Sequence, residues 1–353
     1  MKIVFTGGGT GGHTIPNIAI ISEFKKLKPY AQIFYIGSHN SIEEKFAREN
    51  KLKFFIITVG KLRRYFSWQN FLDAIKIPIG ILQAILILRK IKPDAVFAKG
   101  GFVSLPTTVA AGILHIPLVI HESDSTFGLA TRVSSKFAKK ICVSFPLKTT
   151  DSRITVTGNP IRTTGSTEQG KRLLNFKNKK PIVLIVGGSS GANFLNNLTI
   201  SALPSFIQKV NIVWICGKNK KPIQKIKSEN IRLFEFLDIE YLDILAAADL
   251  VVSRAGANAI FEIAAAKKPS ILIPLPKNGS RGDQILNANF FEESGASINL
   301  EQKDISVKKF TEIIFSLLKN THRRKQMATA TAKLAPRSAA TKIAKIILSV
   351  IQK

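Results

Sequence analysis

Cysteine is almost absent from the 353-residue chain: Cys142 and Cys216 are the only two, which excludes a disulfide framework. Each lies in an apolar run with strand character, Ile141-Cys142-Val143 and Val213-Trp214-Ile215-Cys216, where cysteine serves as a small hydrophobe. The five histidines are scattered and nowhere take metal-ligand spacing. Long apolar runs are also missing. The longest, Ile77 to Leu88, is interrupted by Gln83 and falls well short of the ~20 residues that cross a bilayer. Met1 to Thr6 runs directly into glycines, without a signal-peptide pattern. The expectation is a cytoplasmic protein that meets any membrane from its surface.

Acidic residues are scarce too, 23 against 52 Lys and Arg, for a formal charge of +29. Such an excess points to an anionic partner: nucleic acid, anionic lipid or a phosphorylated small molecule. It is spread through both halves, and no basic tail or nucleic-acid-binding signature is present. Most of it therefore reads as a Lys-rich solvated surface, and local clusters have to be argued one at a time.

What is present is a repeated alternation of short apolar runs with helix-length segments. Lys2–Thr6, Gln32–Ile36, Asp94–Ala98, Leu118–His121 and Lys140–Ser144 read as buried strands. The pattern restarts with Lys180–Val186, Asn211–Cys216, Ile231–Phe234, Leu250–Ser253 and Ser270–Pro274. This predicts an α/β protein of two Rossmann-like, doubly wound parallel-sheet domains facing a cleft. Residues 1–162 form the first domain and 163–337 the second, with 338–353 a last helix crossing back to the first. Thr163–Lys180, rich in Thr, Gly, Lys and Asn, is the linker expected from composition.

Glycine loops follow the strands. Gly7, Gly9 and Gly12 satisfy G-x-G-x-x-G between a strand and a helix, a pattern of dinucleotide sites and also of tight turns. The acidic residue that would hold a ribose at the end of the second strand is missing there: Ile36-Gly37-Ser38 occupies it, and Glu43 lies farther on. The second half repeats the device as Gly187-Gly188-Ser189-Ser190-Gly191-Ala192, and Lys99-Gly100-Gly101-Phe102-Val103-Ser104 adds a third loop. One loop per domain suits two anionic or polyhydroxylated ligands and group transfer between them better than hydride transfer.

These loops come in order with His121-Glu122, Gly158-Asn159-Pro160-Ile161-Arg162, Ser253-Arg254-Ala255-Gly256-Ala257, Glu262-Ile263-Ala264-Ala265 and Asp283-Gln284-Ile285-Leu286-Asn287-Ala288. Together they resemble the MurG family, glycosyltransferase family 28, along essentially the whole chain. The resemblance implies a GT-B fold and inverting transfer of N-acetylglucosamine from UDP-GlcNAc. The acceptor would be the 4-hydroxyl of undecaprenyl-diphosphate-linked MurNAc-pentapeptide, in peptidoglycan synthesis at the cytoplasmic face of the membrane. It also implies an anionic membrane surface and cell-wall synthesis proteins as partners, no nucleic acid, and no obligatory divalent metal or other cofactor.

On the same resemblance the donor is held by Thr10, Gly11, Gly12, Asp124, Arg162, Ser189, Leu237, Ala257, Glu262 and Gln284. Ser189 to Ala192 would offer helix N–H groups to the diphosphate, and Arg162 a fixed positive charge. Glu262 suits the ribose hydroxyls, or else caps its helix. His13 is the general base expected for the acceptor hydroxyl, since imidazole titrates near neutral pH, with Glu122 as the rival. Two residues depart from the family pattern: Asp124 stands for an amide near the donor sugar, and Phe102 for a tyrosine.

Lys61–Lys92 interleaves aromatic and aliphatic residues with seven cations against Asp73 alone. That mixture suits an anionic leaflet. At least half of the apolar stripe is expected to pack on the sheet, and the first part, Lys61 to Ile79, to face the membrane through Lys61, Arg63, Arg64, Trp68, Phe71 and Ile75. Alternatives are a GT-B enzyme with another lipid acceptor such as diacylglycerol, a UDP-GlcNAc epimerase, or, outside enzymes of this kind, a basic nucleic-acid-binding protein.

Overall fold

Alternation of side chains decides which residues become the centre of each sheet. In β1 (Lys2–Thr6), Ile3 and Phe5 pack on one face and Val4 on the other, all buried, as the two-residue period of a strand requires. The computed structural model describes the chain except Thr10 and residues 61–67, 162–163, 189–190, 223–227, 278–280 and 352–353; the side chains of residues 68–72 and 74 are likewise outside the description.

Two units divide the chain: Met1–Arg162 with Ser338–Lys353, and Thr163–Arg337. After β1 the first continues through α1 (Gly11–Leu27), β2 (Gln32–Gly37), α2 (Ile42–Glu49), β3 (Lys53–Ile56), α3 (Trp68–Ile91) and β4 (Ala95–Ala98). It is completed by α4 (Ser104–Ile113), β5 (Leu118–Glu122), α5 (Leu129–Ser134), β6 (Lys140–Val143) and β7 (Ile154–Val156). The strands form one parallel sheet in the order β3-β2-β1-β4-β5-β6-β7. The order reverses between β1 and β4, so the loops after these two strands leave from the switch point where such sheets bind ligands.

The second unit contains α6 (Thr167–Leu174), β8 (Ile182–Val186), α7 (Asn193–Phe206), β9 (Asn211–Ile215), β10 (Ile231–Phe234), α8 (Glu240–Ala247) and β11 (Leu250–Ser253). There follow α9 (Ala257–Ala265), β12 (Ser270–Leu272), α10 (Asp283–Glu293), β13 (Ser297–Asn299), α11 (Val307–Lys319) and α12 (Thr321–Leu334). Its parallel sheet runs β10-β9-β8-β11-β12-β13, with the switch between β8 and β11. The last helix, α13 (Ala339–Ile351), belongs to the first unit. There Ile343, Ala344, Ile347 and Val350 join Ile20, Ile21 and Phe24 of α1 over Ile3 and Phe5. Burial of each large aliphatic side chain is worth ~1.5–3 kcal/mol, which fixes this segment to the first sheet although the second unit precedes it in sequence.

The segment 163–180 is not the plain linker that its composition suggests. Thr167–Leu174 is a helix. The Gln169 N–H donates to the Ser166 side chain, and the Ser166 N–H donates to Asp243 Oδ1 at 2.7 Å, so a cap worth ~1 kcal/mol starts it. The Thr167 hydroxyl also donates to the carbonyl of Ala246 on α8. Three strands escaped the sequence reading: β3, β7 and β13. All three are edges of their sheets, where one side meets solvent and the continuous apolar run of a central strand is not needed.

Candidate functional site

The loop after β1 is fixed from beneath by buried polar groups. The Tyr35 hydroxyl donates to the Gly7 carbonyl at 2.5 Å, and Asn17 Nδ2 donates to Tyr35 Oη at 2.8 Å. Glu43, fully buried on α2, reaches back so that its carboxylate accepts from Gly9 N–H at 3.3 Å and from the Ser38 hydroxyl at 2.7 Å. The acid that the sequence placed too far along the chain is therefore at the glycine loop after all. It holds the loop's backbone from below.

Above it, the turn after β4 interlocks with the same loop. Gly9 has φ +83° and Gly101 φ +81°, a region that side-chain-bearing residues enter at a cost. A Cβ on Gly9 would meet the Phe102 ring at 2.4 Å, and one on Gly101 would lie 2.5 Å from the Gly8 carbonyl and 2.9 Å from His13 Cδ2. His13, in the first turn of α1, thus has its ring edge against Gly101. The two glycine loops of the first half meet at this imidazole.

The end of β5 closes the group. His121 is buried, with Nε2 3.1 Å from the Gly158 carbonyl, and a carbonyl can only accept, so Nε2 carries the proton. Burial first, and the charge of Lys99 second, hold His121 well below the usual imidazole range. Glu122 accepts four hydrogen bonds from its own chain: Ser123 N at 2.9 Å and Asp124 N at 3.2 Å on Oε1, Gly128 N at 3.0 Å and the Thr131 hydroxyl at 2.6 Å on Oε2. Both its oxygens are engaged in shaping the turn between β5 and α5, where Asp124 sits half-buried.

Sequence reasoning missed Lys99 as a site residue. It follows β4 directly, is 1% exposed, and donates from Nζ to the Ser123 hydroxyl. Burial pushes its pKa from 10.5 down to about 8 against the pull of Glu122 and Asp124. Below about pH 8 the lysine is charged in folded and unfolded chains alike, and its desolvation cost is present in full. Between about 8 and 10.5 the unfolded chain binds a proton that the folded chain has released, so this group makes stability rise with pH. The shift is worth about 3 kcal/mol. Melting of Lys99→Met against the unmodified protein should show the variant more stable at pH 7 and the gap closing by pH 10.5; a gap that does not change with pH would contradict this.

In the second unit the loop after β8 leads into α7, whose N-terminus begins beyond Ala192. Ala257 opens α9, buried, and Glu262 lies half-buried on the same helix. Gln284 accepts through Oε1 from Leu275 N–H at 3.1 Å, which leaves its amide NH2 as a donor. Leu237 is half-buried in the segment after β10. Arg254, buried after β11, donates to the carbonyls of Ile273 and Pro274 at 2.9 and 3.1 Å and to Gln302 Oε1 at 3.0 Å. The motif showed this arginine without a role; it ties the exits of β11 and β12 together, and burial pushes its pKa down.

Thr10, Lys61, Arg63, Arg64, Arg162 and Ser189 lie outside the described residues, as do the side chains of Trp68 and Phe71. Gly11 and Gly12 form the first turn of α1. On α3 the described side chains sort around the helix axis rather than along it. Ile75, Ile79, Leu82 and Leu86 are 57%, 46%, 60% and 59% exposed, whereas Ala84, Leu88 and Ile91 are buried. Spacings of four, three and four residues place the exposed side chains in one stripe on the face opposite the buried ones. The helix divides lengthwise, and its apolar outer stripe continues past Ile79 to Leu86. Among the described residues no helix is long and apolar enough to cross a membrane.

Comparison with known proteins returns the same two halves. Residues 3–143 match the glycosyltransferase family 28 N-terminal domain, and residues 182–345 the glycosyltransferase family 28 C-terminal domain. A relative from Clostridium kluyveri, named UDP-N-acetylglucosamine–N-acetylmuramyl-(pentapeptide) pyrophosphoryl-undecaprenol N-acetylglucosamine transferase, is 44% identical over 93% of this chain and 95% of its own. One of the same name from Clostridium tetani is 43% identical over 90% of each chain. Among solved structures, MurG of Acinetobacter baumannii has a TM-score of 0.76 at 24% identity over 99% of both chains. A UDP-GlcNAc 2-epimerase from Neisseria meningitidis, bound to UDP-GlcNAc, has a TM-score of 0.68 at 15% identity over 99% of this chain and 100% of its own. At these identities the two structures speak for the fold.

Proposed function

The chain belongs to glycosyltransferase family 28, and from that premise we infer that it moves N-acetylglucosamine from UDP-GlcNAc to undecaprenyl-diphosphate-linked MurNAc-pentapeptide, the lipid I to lipid II step of peptidoglycan synthesis. The observation that carries the reading is relatedness of 44% over nearly the full length to a transferase named for that reaction. The fold is GT-B. The residue assignments below extend this reading.

In an inverting transfer the acceptor 4-hydroxyl oxygen attacks C1 of the donor sugar as the bond from C1 to the diphosphate oxygen breaks. A base takes the hydroxyl proton and UDP leaves with the bonding electrons. His13 is the base on this account. Glu122, with both oxygens engaged by four hydrogen bonds, orders the turn that carries Asp124. The diphosphate charge is taken up by the N-terminal N–H groups of α7 and by Arg162, without an obligatory divalent metal. Glu262 accepts from the ribose hydroxyls, and Gln284 donates to the sugar through its NH2.

The epimerase reading shares the fold, and donor alone separates the two. UDP-GlcNAc incubated with the protein and followed by NMR should remain UDP-GlcNAc until a lipid-linked muramyl acceptor is added. Formation of the 2-epimer without acceptor would reject the transferase reading.

The acceptor is a lipid, and the α3 stripe is the surface we assign to its membrane. Ile75, Ile79, Leu82 and Leu86 form the apolar face, and Arg89 and Lys90 near its C-terminal end favour anionic headgroups. Leu82→Ser with Leu86→Ser should lower partitioning onto anionic vesicles about fivefold or more, since partial burial of two leucines is worth ~1–3 kcal/mol. Melting should change little, because both side chains are exposed in the folded protein. Undiminished vesicle binding would move the membrane surface elsewhere.

A further inference from the structure

Beneath the glycine loop lies a phenol that the chemistry just described does not use. Tyr35, on β2, is fully buried. Its ring stacks on Phe54 of β3, centroids 5.9 Å apart, and meets Phe46 of α2 edge-on at 6.3 Å. Its hydroxyl has two partners: it donates to the Gly7 carbonyl at 2.5 Å and accepts from Asn17 Nδ2 at 2.8 Å. Asn17, equally buried on α1, also donates from Nδ2 toward the Thr6 carbonyl at 3.4 Å. Burial pushes the phenol's pKa up, so the hydroxyl keeps its proton and remains a donor.

Two routes lead from this hydroxyl to His13. The first runs along α1: Asn17 stands four residues after His13, and residues at that spacing share one face of a helix. The second runs through the loop. A Cβ on Gly7 would lie 3.1 Å from Lys99 Cβ and 3.2 Å from the Gly100 carbonyl oxygen, and one on Gly101 reaches both the Gly8 carbonyl and His13 Cδ2. Backbones this close leave no slack, so Gly7 cannot shift without pushing the turn that touches the imidazole. Removal of the hydroxyl would leave the buried Gly7 carbonyl without its donor and the Asn17 amide without its nearer acceptor. Both groups belong to the segments that carry His13.

We propose that Tyr35 is a positioning residue for the transfer step: its hydroxyl, held between Gly7 and Asn17, sets the glycine loop and the first turns of α1 so that the His13 imidazole meets the acceptor hydroxyl. The inference rests on the transferase reading with His13 as base. Phe46 and Phe54 hold the ring with or without its oxygen, so Tyr35→Phe removes the two hydrogen bonds and keeps the packing.

The test is a cycle in the full-length protein: Tyr35→Phe, His13→Ala and the double variant, each assayed for single-turnover transfer and for KM toward UDP-GlcNAc. Tyr35→Phe is expected to lower the transfer rate at least about tenfold and to leave KM within about threefold. In the His13→Ala background the same substitution should cost no more than about twofold, because its route to the chemistry is already gone. A merely structural tyrosine would give equal losses in both backgrounds. That result, or an unchanged rate in Tyr35→Phe, overturns the inference.

Histidine-selective 15N labelling supplies a readout without substrate. The ring signals absent from His13→Ala belong to His13, and Tyr35→Phe should move them while those of His115 and His322 stay in place. Unmoved His13 signals overturn the inference. Should Tyr35→Phe not fold, Asn17→Ala cuts the link to α1 and should move the same signals, with the same consequence if it does not. A shift in a protein that transfers no sugar would reject the transferase reading and leave the coupling of Tyr35 to His13 standing, so the two failures are told apart.

Discussion

His13→Ala should lower kcat for sugar transfer by about a hundredfold to ten-thousandfold, the usual worth of a positioned general base. The KM for UDP-GlcNAc should change much less, because half of the donor residues expected here, Ser189, Leu237, Ala257, Glu262 and Gln284, lie in the second unit. The position of the imidazole follows from its neighbours. It stands in the first turn of α1, against Gly101, with the Gly7–Gly12 loop held by Tyr35, Asn17 and Glu43. Single-turnover kinetics, with donor and acceptor both bound, would read the chemical step directly. A kcat within about threefold of the unmodified protein would remove His13 from the chemistry and return the role to another group.

Gly101→Ala is the second large effect, and it acts without removing any functional group. The added methyl carbon would sit 2.5 Å from the Gly8 carbonyl oxygen and 2.9 Å from His13 Cδ2. The backbone at φ +81° also costs ~1–2 kcal/mol for any L side chain. Both neighbours belong to the stretch Gly8–His13 that opens α1, so relief comes only by moving the glycine loop or the imidazole. A displacement of ~1 Å in such a site costs about a hundredfold in rate. Transfer should fall by about that factor, while binding of UDP, measured calorimetrically, stays close to that of the unmodified protein. Normal transfer by Gly101→Ala would show that the contact between this turn and His13 is not needed for catalysis.

The central strands and the glycine loops were legible because both are dictated locally. A strand covered on both faces needs an unbroken apolar run, as in Ile182–Val186, and a loop meeting a helix N-terminus at the switch point needs residues without bulk. Edge strands such as Ile154–Val156 escape because half of their surface is solvated. The helix Thr167–Leu174 hid within a polar stretch, although Ser166-Thr167-Glu168-Gln169 carries a capping signal. Its partner Asp243 is distant in sequence, and no local pattern announces it.

The candidate site divides in the same way. His13, Glu122 and Gln284 are visible in motifs because the family resemblance places them. Glu43 and Lys99 are visible only when the chain is folded. A glutamate five residues beyond Ser38 reaches back to the glycine loop because only the short turn 38–41 separates β2 from α2, and a loop lysine is ordinarily taken as solvated. On α3 the apolar residues were counted along the chain, whereas their helical spacing sorts them around the axis. The sheet-facing and outward-facing sets therefore overlap in sequence and separate only in space.

Transfer of labelled sugar to the lipid itself tests the central claim most directly. The protein is incubated with UDP-GlcNAc and undecaprenyl-diphosphate-linked MurNAc-pentapeptide in vesicles, with diacylglycerol as a competing acceptor and with EDTA in place of magnesium, and the lipid products are identified by mass. The account predicts that the muramyl lipid gains one N-acetylhexosamine residue, that diacylglycerol gains none, and that the chelator leaves the reaction running. Donor binding without any gain of mass on the muramyl lipid would contradict it.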